Sequence, residues 1–139
     1  MKKKANLVRI LLIFVLLLVT MTNYGLAQPD YTIMTANTFD LGSYLVDGQG
    51  RTLYYSTKDA PGISNCKGQC HVNWPTFYTA KIEVPLGLIA SDFSSITRDD
   101  GTQQTTFRGW PLYYFSKDIV AGDVKGQKIN DVWFVISVN

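Results

Sequence analysis

After residue 43 the chain is a succession of short segments in which apolar and polar side chains alternate, interrupted by glycine-bearing turns. Ser43–Val46, then Asp47, Gly48, Gln49 and Gly50, then Arg51–Tyr55 read as strand, turn, strand, because glycine supplies the positive φ that a tight hairpin needs. Phe93–Thr97 and Thr102–Phe107 flank Arg98–Gly101 in the same way, with β-branched and aromatic residues on both sides. Trp110–Phe115 continues as a strand in which Pro111 is tolerated only at an edge or a strand start. Asp131–Val138 gives the strongest strand pattern. No stretch has the i, i+3, i+4, i+7 spacing of a long amphipathic helix, and the best helical candidate is a turn or two near Leu86–Ser91. The class is therefore all-β, a small antiparallel sandwich or barrel-like fold. Residues 28–43 lack a clear period and are expected to form a loosely attached lead-in with a short strand at best.

The pattern occurs twice. Gly50, Leu53, Tyr54, Tyr55, Lys58 and Asp59 return 59 residues later as Gly109, Leu112, Tyr113, Tyr114, Lys117 and Asp118, and the same offset carries Trp74 onto Trp133. Lys67-Gly68-Gln69 recurs one residue out of step as Lys125-Gly126-Gln127. Self-similarity at a fixed spacing dictates architecture. Two repeats, about 44–80 and 93–139, are expected to intertwine about a pseudo-two-fold axis. A half of that size could scarcely bury its own core, so both should share one, making 44–139 a single domain.

The N-terminus differs in kind. Lys2, Lys3, Lys4 and Arg9 precede an apolar run from Ile10 to Val19, and Gly25-Leu26-Ala27 supplies small residues before Gln28. This is the layout of a secretory signal peptide over residues 1–27. The run is too short for a comfortable membrane span, which takes about 20 apolar residues, although retention as an anchor stays open. No cysteine precedes Cys66, so a lipid anchor attached at the cleavage point is not supported. Cleavage would leave nine basic and eleven acidic residues, a net charge of −2. That leaves no basic stripe for nucleic acid. The remaining chain is rich in aromatics and fits a secreted or cell-envelope protein.

Chemistry-bearing residues are few. Cys66 and Cys70, the only cysteines, are expected to close a small local disulfide in an exported chain. His71, the only histidine, follows directly, but the three-residue gap between the cysteines departs from the haem-attachment spacing, and no second cluster exists for zinc. No metal, cofactor or catalytic residue is assigned. Asp59 and Asp118 end the two Tyr-rich strands, where an aspartate ordinarily caps a turn by accepting backbone N–H bonds. Two such acids could alternatively serve a glycosidase if suitably spaced. Along Tyr54-Tyr55 and Tyr113-Tyr114 the faces alternate, so one ring of each pair is expected in the core and the other outward. Outward rings, with Trp74, Trp110 or His71, are candidates for binding a sugar, a quinone or a protein partner.

At these residues the chain resembles the secreted repeat of unknown function, a family of predicted lipoproteins with a Tyr-x-aromatic-x-x-Asp motif. Tyr113, Phe115 and Asp118 match it fully, whereas the first copy has Tyr54 and Asp59 but Ser56 where the aromatic belongs. The likeness runs from about Tyr44 to Val138 and takes in Leu53, Cys66, Cys70, Trp74, Gly109, Leu112 and Trp133. His71 departs from the small residue common at its position. The resemblance implies an exported location and supplies no catalytic residues. Sequence and resemblance together lead to a non-enzymatic envelope or extracellular module that binds a protein or small-molecule partner. The alternatives are a redox accessory using Cys66 and Cys70 or a nearby cofactor, and a carbohydrate-active enzyme using Asp59 and Asp118.

Overall fold

A computed structural model describes residues 29–138; the expected signal peptide lies outside the described residues. Among the described residues the strands are β1 (Ile33–Thr38), β2 (Gly42–Asp47), β3 (Tyr54–Ser56), β4 (Phe93–Thr97), β5 (Gln103–Phe107), β6 (Trp110–Pro111) and β7 (Trp133–Val135), with one short α-helix, α1 (Gln69–Asn73). All pairings are antiparallel, in three small sheets ordered β1-β2, β3-β7 and β4-β5-β6. The class is all-β, and the sheets do not join into a closed barrel.

The β4-β5 hairpin falls where the alternating pattern puts it, and Pro111 lies in a two-residue strand paired only to β5. Near Leu86–Ser91 a single 3₁₀ turn forms, at Ala90–Asp92. The lead-in differs from its expectation. Instead of hanging loosely, residues 33–38 form β1, registered residue for residue from Ile33 opposite Asp47 to Thr38 opposite Gly42. Ile33 is fully buried, while Met34 and Ala36 pack at the core margin. Ala36 and Asn37 have poor strand propensity, so this strand owes its existence to its partner and to burial.

The two halves interleave. At the centre, Tyr54 N–H donates to the Tyr113 carbonyl and Tyr113 N–H to the Tyr54 carbonyl, both at 2.9 Å. β3 of the first half pairs with β7 of the second, and in the mirrored arrangement Tyr114 and Ser116 N–H donate to the carbonyls of Pro75 and Asn73. Leu45 N–H donates to Ile136 O and Thr105 N–H to Phe77 O, another related pair across the halves. Period-two alternation then sorts the side chains onto two faces. Tyr54 and Tyr113 join Tyr44, Val46, Trp74, Phe115, Trp133 and Val135 on one face. Leu53 and Leu112 join Ile33, Leu45, Phe77, Phe93, Phe107 and Ile136 on the other.

The Lys-Gly-Gln recurrence is not a structural equivalence. Asp59 accepts from Asn65 N–H and Asp118 from Lys125 N–H, so Gly126 falls opposite Cys66, not Gly68. Gly68 has φ +58°, whereas Gly126 needs no positive φ and serves instead for close approach. A Cβ on Gly126 would lie 2.8 Å from both the Trp74 and Tyr54 rings. Gly126→Ala is therefore expected to destabilise by about 1–3 kcal/mol through overpacking. Thermal or urea unfolding of the variant measures this, and an unchanged midpoint would show that the ring pair can yield.

Candidate functional site

Tyrosine–aspartate hydrogen bonds cross between the halves at the core. Tyr54 Oη donates to Asp118 Oδ2 and Tyr113 Oη to Asp59 Oδ2, each at 2.6 Å. The other oxygen of each carboxylate accepts a backbone amide of its own half, Asn65 at 2.7 Å and Lys125 at 3.0 Å. One aspartate thus caps its own loop while binding the opposite half's tyrosine. Both acids are buried, and desolvation raises the pKa of each, against the pull of the tyrosine and amide donors. Burial likewise raises the Tyr54 and Tyr113 hydroxyls well above the ordinary tyrosine range, reinforced by the adjoining carboxylates. Asp59 and Asp118 are committed to internal donors, a geometry that serves cohesion.

Trp74 lies beneath this crossing with little surface of its own to offer a ligand. It is 5% exposed and stacks on Trp133 at 3.8 Å and 4° on one side and on Phe115 at 4.4 Å and 28° on the other. Tyr54 meets Trp74 edge-on, and Tyr113 meets Trp133 edge-on, as the pseudo-symmetry requires. Trp110, by contrast, is half-buried at the surface.

The cysteine loop is held by groups that the sequence did not single out. Cys66 and Cys70 form a disulfide. Arg98, from the β4-β5 turn, donates from Nη2 to Cys66 O at 2.7 Å and from Nη1 to Gln104 Oε1 at 2.8 Å and to Ser64 Oγ. Gln104 passes the chain of bonds on to Leu112 O, and Ser64 is hydrogen-bonded to Tyr113. With its side chain only 5% exposed, Arg98 is a structural cation, its Nε 3.9 Å from Asp100. A residue acting 32 positions from its partner leaves no local pattern, so periodicity could not reveal it. His71, half-buried on α1, borders a cleft of about 330 Å³ with Lys67, Arg98, Asp99 and Asp100. Among the described residues no group of three metal-ligating side chains converges, and no helix is long and apolar enough to cross a membrane.

The outward tyrosines are where the copies part. Tyr114 is engaged by the opposite half's turn: its hydroxyl donates to Asp47 at 2.8 Å and the Arg51 guanidinium covers its ring at 3.9 Å, although it still borders a shallow pocket of about 350 Å³ with Tyr31, Phe77 and Tyr78. Tyr55 instead meets Trp110 edge-on at 5.6 Å and Phe134 at 6.1 Å. Tyr55 and Trp110, with Phe107, Arg108, Val135 and Ile136, wall an open groove of about 380 Å³. Arg108 lies over Phe107 and is held by Asp92 through two bonds of 3.0 and 3.1 Å.

Comparison with known proteins accords with the duplication. A family model described as a secreted repeat of unknown function matches the chain twice, over residues 35–77 and 94–137. No curated protein and no solved structure matches.

Two outcomes follow from this geometry. Raised tyrosine pKa values mean that the fold disfavours ionised Tyr54, Tyr113 and Tyr114, so their contribution is full below about pH 10 and is lost as pH rises further. Spectrophotometric titration should show these hydroxyls ionising only together with loss of near-ultraviolet dichroism. Asp59 and Asp118 have the same sign: their contribution is full below the unfolded carboxyl range and falls as pH rises through it, so these acids do not drive acid unfolding. Separately, the cysteines enclose a very short loop, and replacing both by serine should cost about 2 kcal/mol while leaving the fold intact. Denaturant melts of the double variant measure that loss.

Proposed function

The chain belongs to the secreted repeat of unknown function family, and from that premise we propose that it acts outside the cytoplasm as a non-catalytic binding module whose seat is the Tyr55–Trp110 groove. A cleaved leader over residues 1–27 is part of this proposal. The observation that carries it is the inequality of the two copies. Duplication provides two related half-buried tyrosines, and the hydroxyl and ring of one are engaged by Asp47 and Arg51 while the other packs among half-buried aromatics. The groove volume, about 380 Å³, falls within the range of small-ligand sites. Its wall combines Tyr, Trp and Phe faces with a guanidinium fixed by Asp92, which suits a flat, weakly polar ligand such as a glycan ring or a quinone.

Neither alternative gains comparable support. Cys66 is 3% exposed and only Cys70 is half-buried, so one sulfur of the pair is shielded from exchange. The hydrogen bonds of Asp59 and Asp118 favour capping over acid catalysis.

Trp74 and Trp133 are buried, so Trp110 is the fluorophore positioned to sense the groove. Titrating the protein with envelope glycans and with soluble quinones should give a saturable change in emission for one class. Trp110→Ala should weaken that binding at least tenfold, on the order of 1.4 kcal/mol, with an unchanged melting temperature. No response from either class, or equal binding by the variant, would remove the groove as the seat.

A further inference from the structure

The Tyr55–Trp110 groove does not end at Arg108. A second recess of about 180 Å³, lined by Gly87, Leu88, Ile89, Asp92 and Val138, adjoins it, and Phe107, Arg108 and Ser137 are common to both walls. Arg108 and Ser137 are exposed at this divide; beyond it Ile89 is exposed and Leu88 half-buried. A single flat ring seated against Tyr55 and Trp110 leaves the second recess unused.

The residue at the divide is one that its backbone does not favour. Arg108 has φ +48°, in the left-handed region that a residue with a side chain rarely adopts. Its N–H donates to Asp92 O at 2.7 Å, as Gly48 N–H donates to Thr32 O at 3.0 Å, so the first half has a glycine at the equivalent place. A Cβ on Gly48 would lie 2.2 Å from the Tyr31 carbonyl oxygen, which closes that turn to any side chain. The second half opens the turn and puts a guanidinium there. Strain of this kind persists only where surrounding contacts hold it, and it gathers at functional sites. Asp92 and the Phe107 ring hold it in this turn.

The two bonds from Arg108, through Nε and Nη2, both end on Asp92 Oδ2. Among the described residues Arg108 Nη1 and Asp92 Oδ1 have no hydrogen-bond partner, so a donor and an acceptor stand side by side. A hydroxyl both donates and accepts, and neighbouring hydroxyls of a sugar ring match such a pair. One guanidinium balances one carboxylate, which suits an uncharged ligand. The flanking walls are mainly aromatic and aliphatic, with these few polar groups left to fix orientation.

We propose that the two recesses form one extended cleft for a linear, uncharged glycan. One sugar lies on the Tyr55–Trp110 wall, the next bonds to Arg108 and Asp92, and the chain continues over Leu88 and Ile89. This rests on the groove as the binding seat and names the class of its ligand. A quinone or a single sugar engages the first recess alone.

The experiment titrates the protein with two series of β-1,4-linked sugars, of glucose and of N-acetylglucosamine, each from the single sugar to the tetramer, followed by Trp110 emission and calorimetry. In one series the trimer should bind about tenfold more tightly than the single sugar. Ile89→Ala, at an exposed position, should remove that gain while leaving single-sugar binding and the melting temperature unchanged. Arg108→Gly should also lose the gain while the fold stands, because glycine accepts the positive φ and an exposed ion pair contributes little. Arg108→Lys keeps the charge without the planar fork and should not restore it. Affinity that does not grow with chain length, or growth that survives both Ile89→Ala and Arg108→Gly, would overturn the extended cleft and leave the groove standing. Silence from both sugar series beside a saturable response to a soluble quinone has the same meaning. Silence from sugars and quinone alike removes the groove itself, and this proposal with it.

Discussion

The reciprocal backbone pair between Tyr54 and Tyr113 is the contact around which the other buried interactions are arranged. Antiparallel pairing at that point brings two identical Leu-Tyr-Tyr segments into register about a pseudo-two-fold axis. Once they are paired, alternation sends both leucines to one face and both first tyrosines to the other. The hydroxyls then reach the aspartate of the opposite half, and each aspartate reaches back to its own loop. Hydrogen bonds to a buried charged acceptor are among the stronger kinds, and removing a donor would leave an unsatisfied oxygen. The crossing joins local loop geometry to the association of the halves.

Beneath the crossing, the indoles of Trp74 and Trp133 stack on one another near the same axis. They are the floor against which the tyrosine rings stand edge-on. Close approach of Gly126 on one side and the Arg98-anchored cysteine loop on the other completes the enclosure. Symmetry thus accounts for the framework, and a departure from it marks the Tyr55–Trp110 groove.

Much of the framework is legible in the chain because it rests on local signals. Glycine turns and β-branched runs mark the β4-β5 hairpin, and the duplicated Leu-Tyr-Tyr-Asp segments announce the shared core. Other parts depend on distant partners. β1 includes Ala36 and Asn37 and is stabilised chiefly by its neighbour. Arg98 matters because of Ser64, Cys66 and Gln104, two of which lie over thirty residues away. The recurring Lys-Gly-Gln triplet misleads for a related reason: similar letters occupy loops of different length, and the aspartate cap identifies the true correspondence. Trp74 and Trp110 look alike as candidates in the sequence, yet stacking buries the first and a strand edge leaves the second half exposed.

Interleaving also has a temporal consequence. The tyrosine–aspartate bonds join residues 64 and 54 positions apart, and β3 has its sheet partner in β7, near the end of the chain. An emerging polypeptide cannot close this core until its last strand is available, because the first half has neither its acidic acceptor nor its stacking indole. Non-local pairing of this kind slows folding. For a member of a family described as secreted, the consequence is that no half of the chain can close its own core, and compaction waits until the whole length is available.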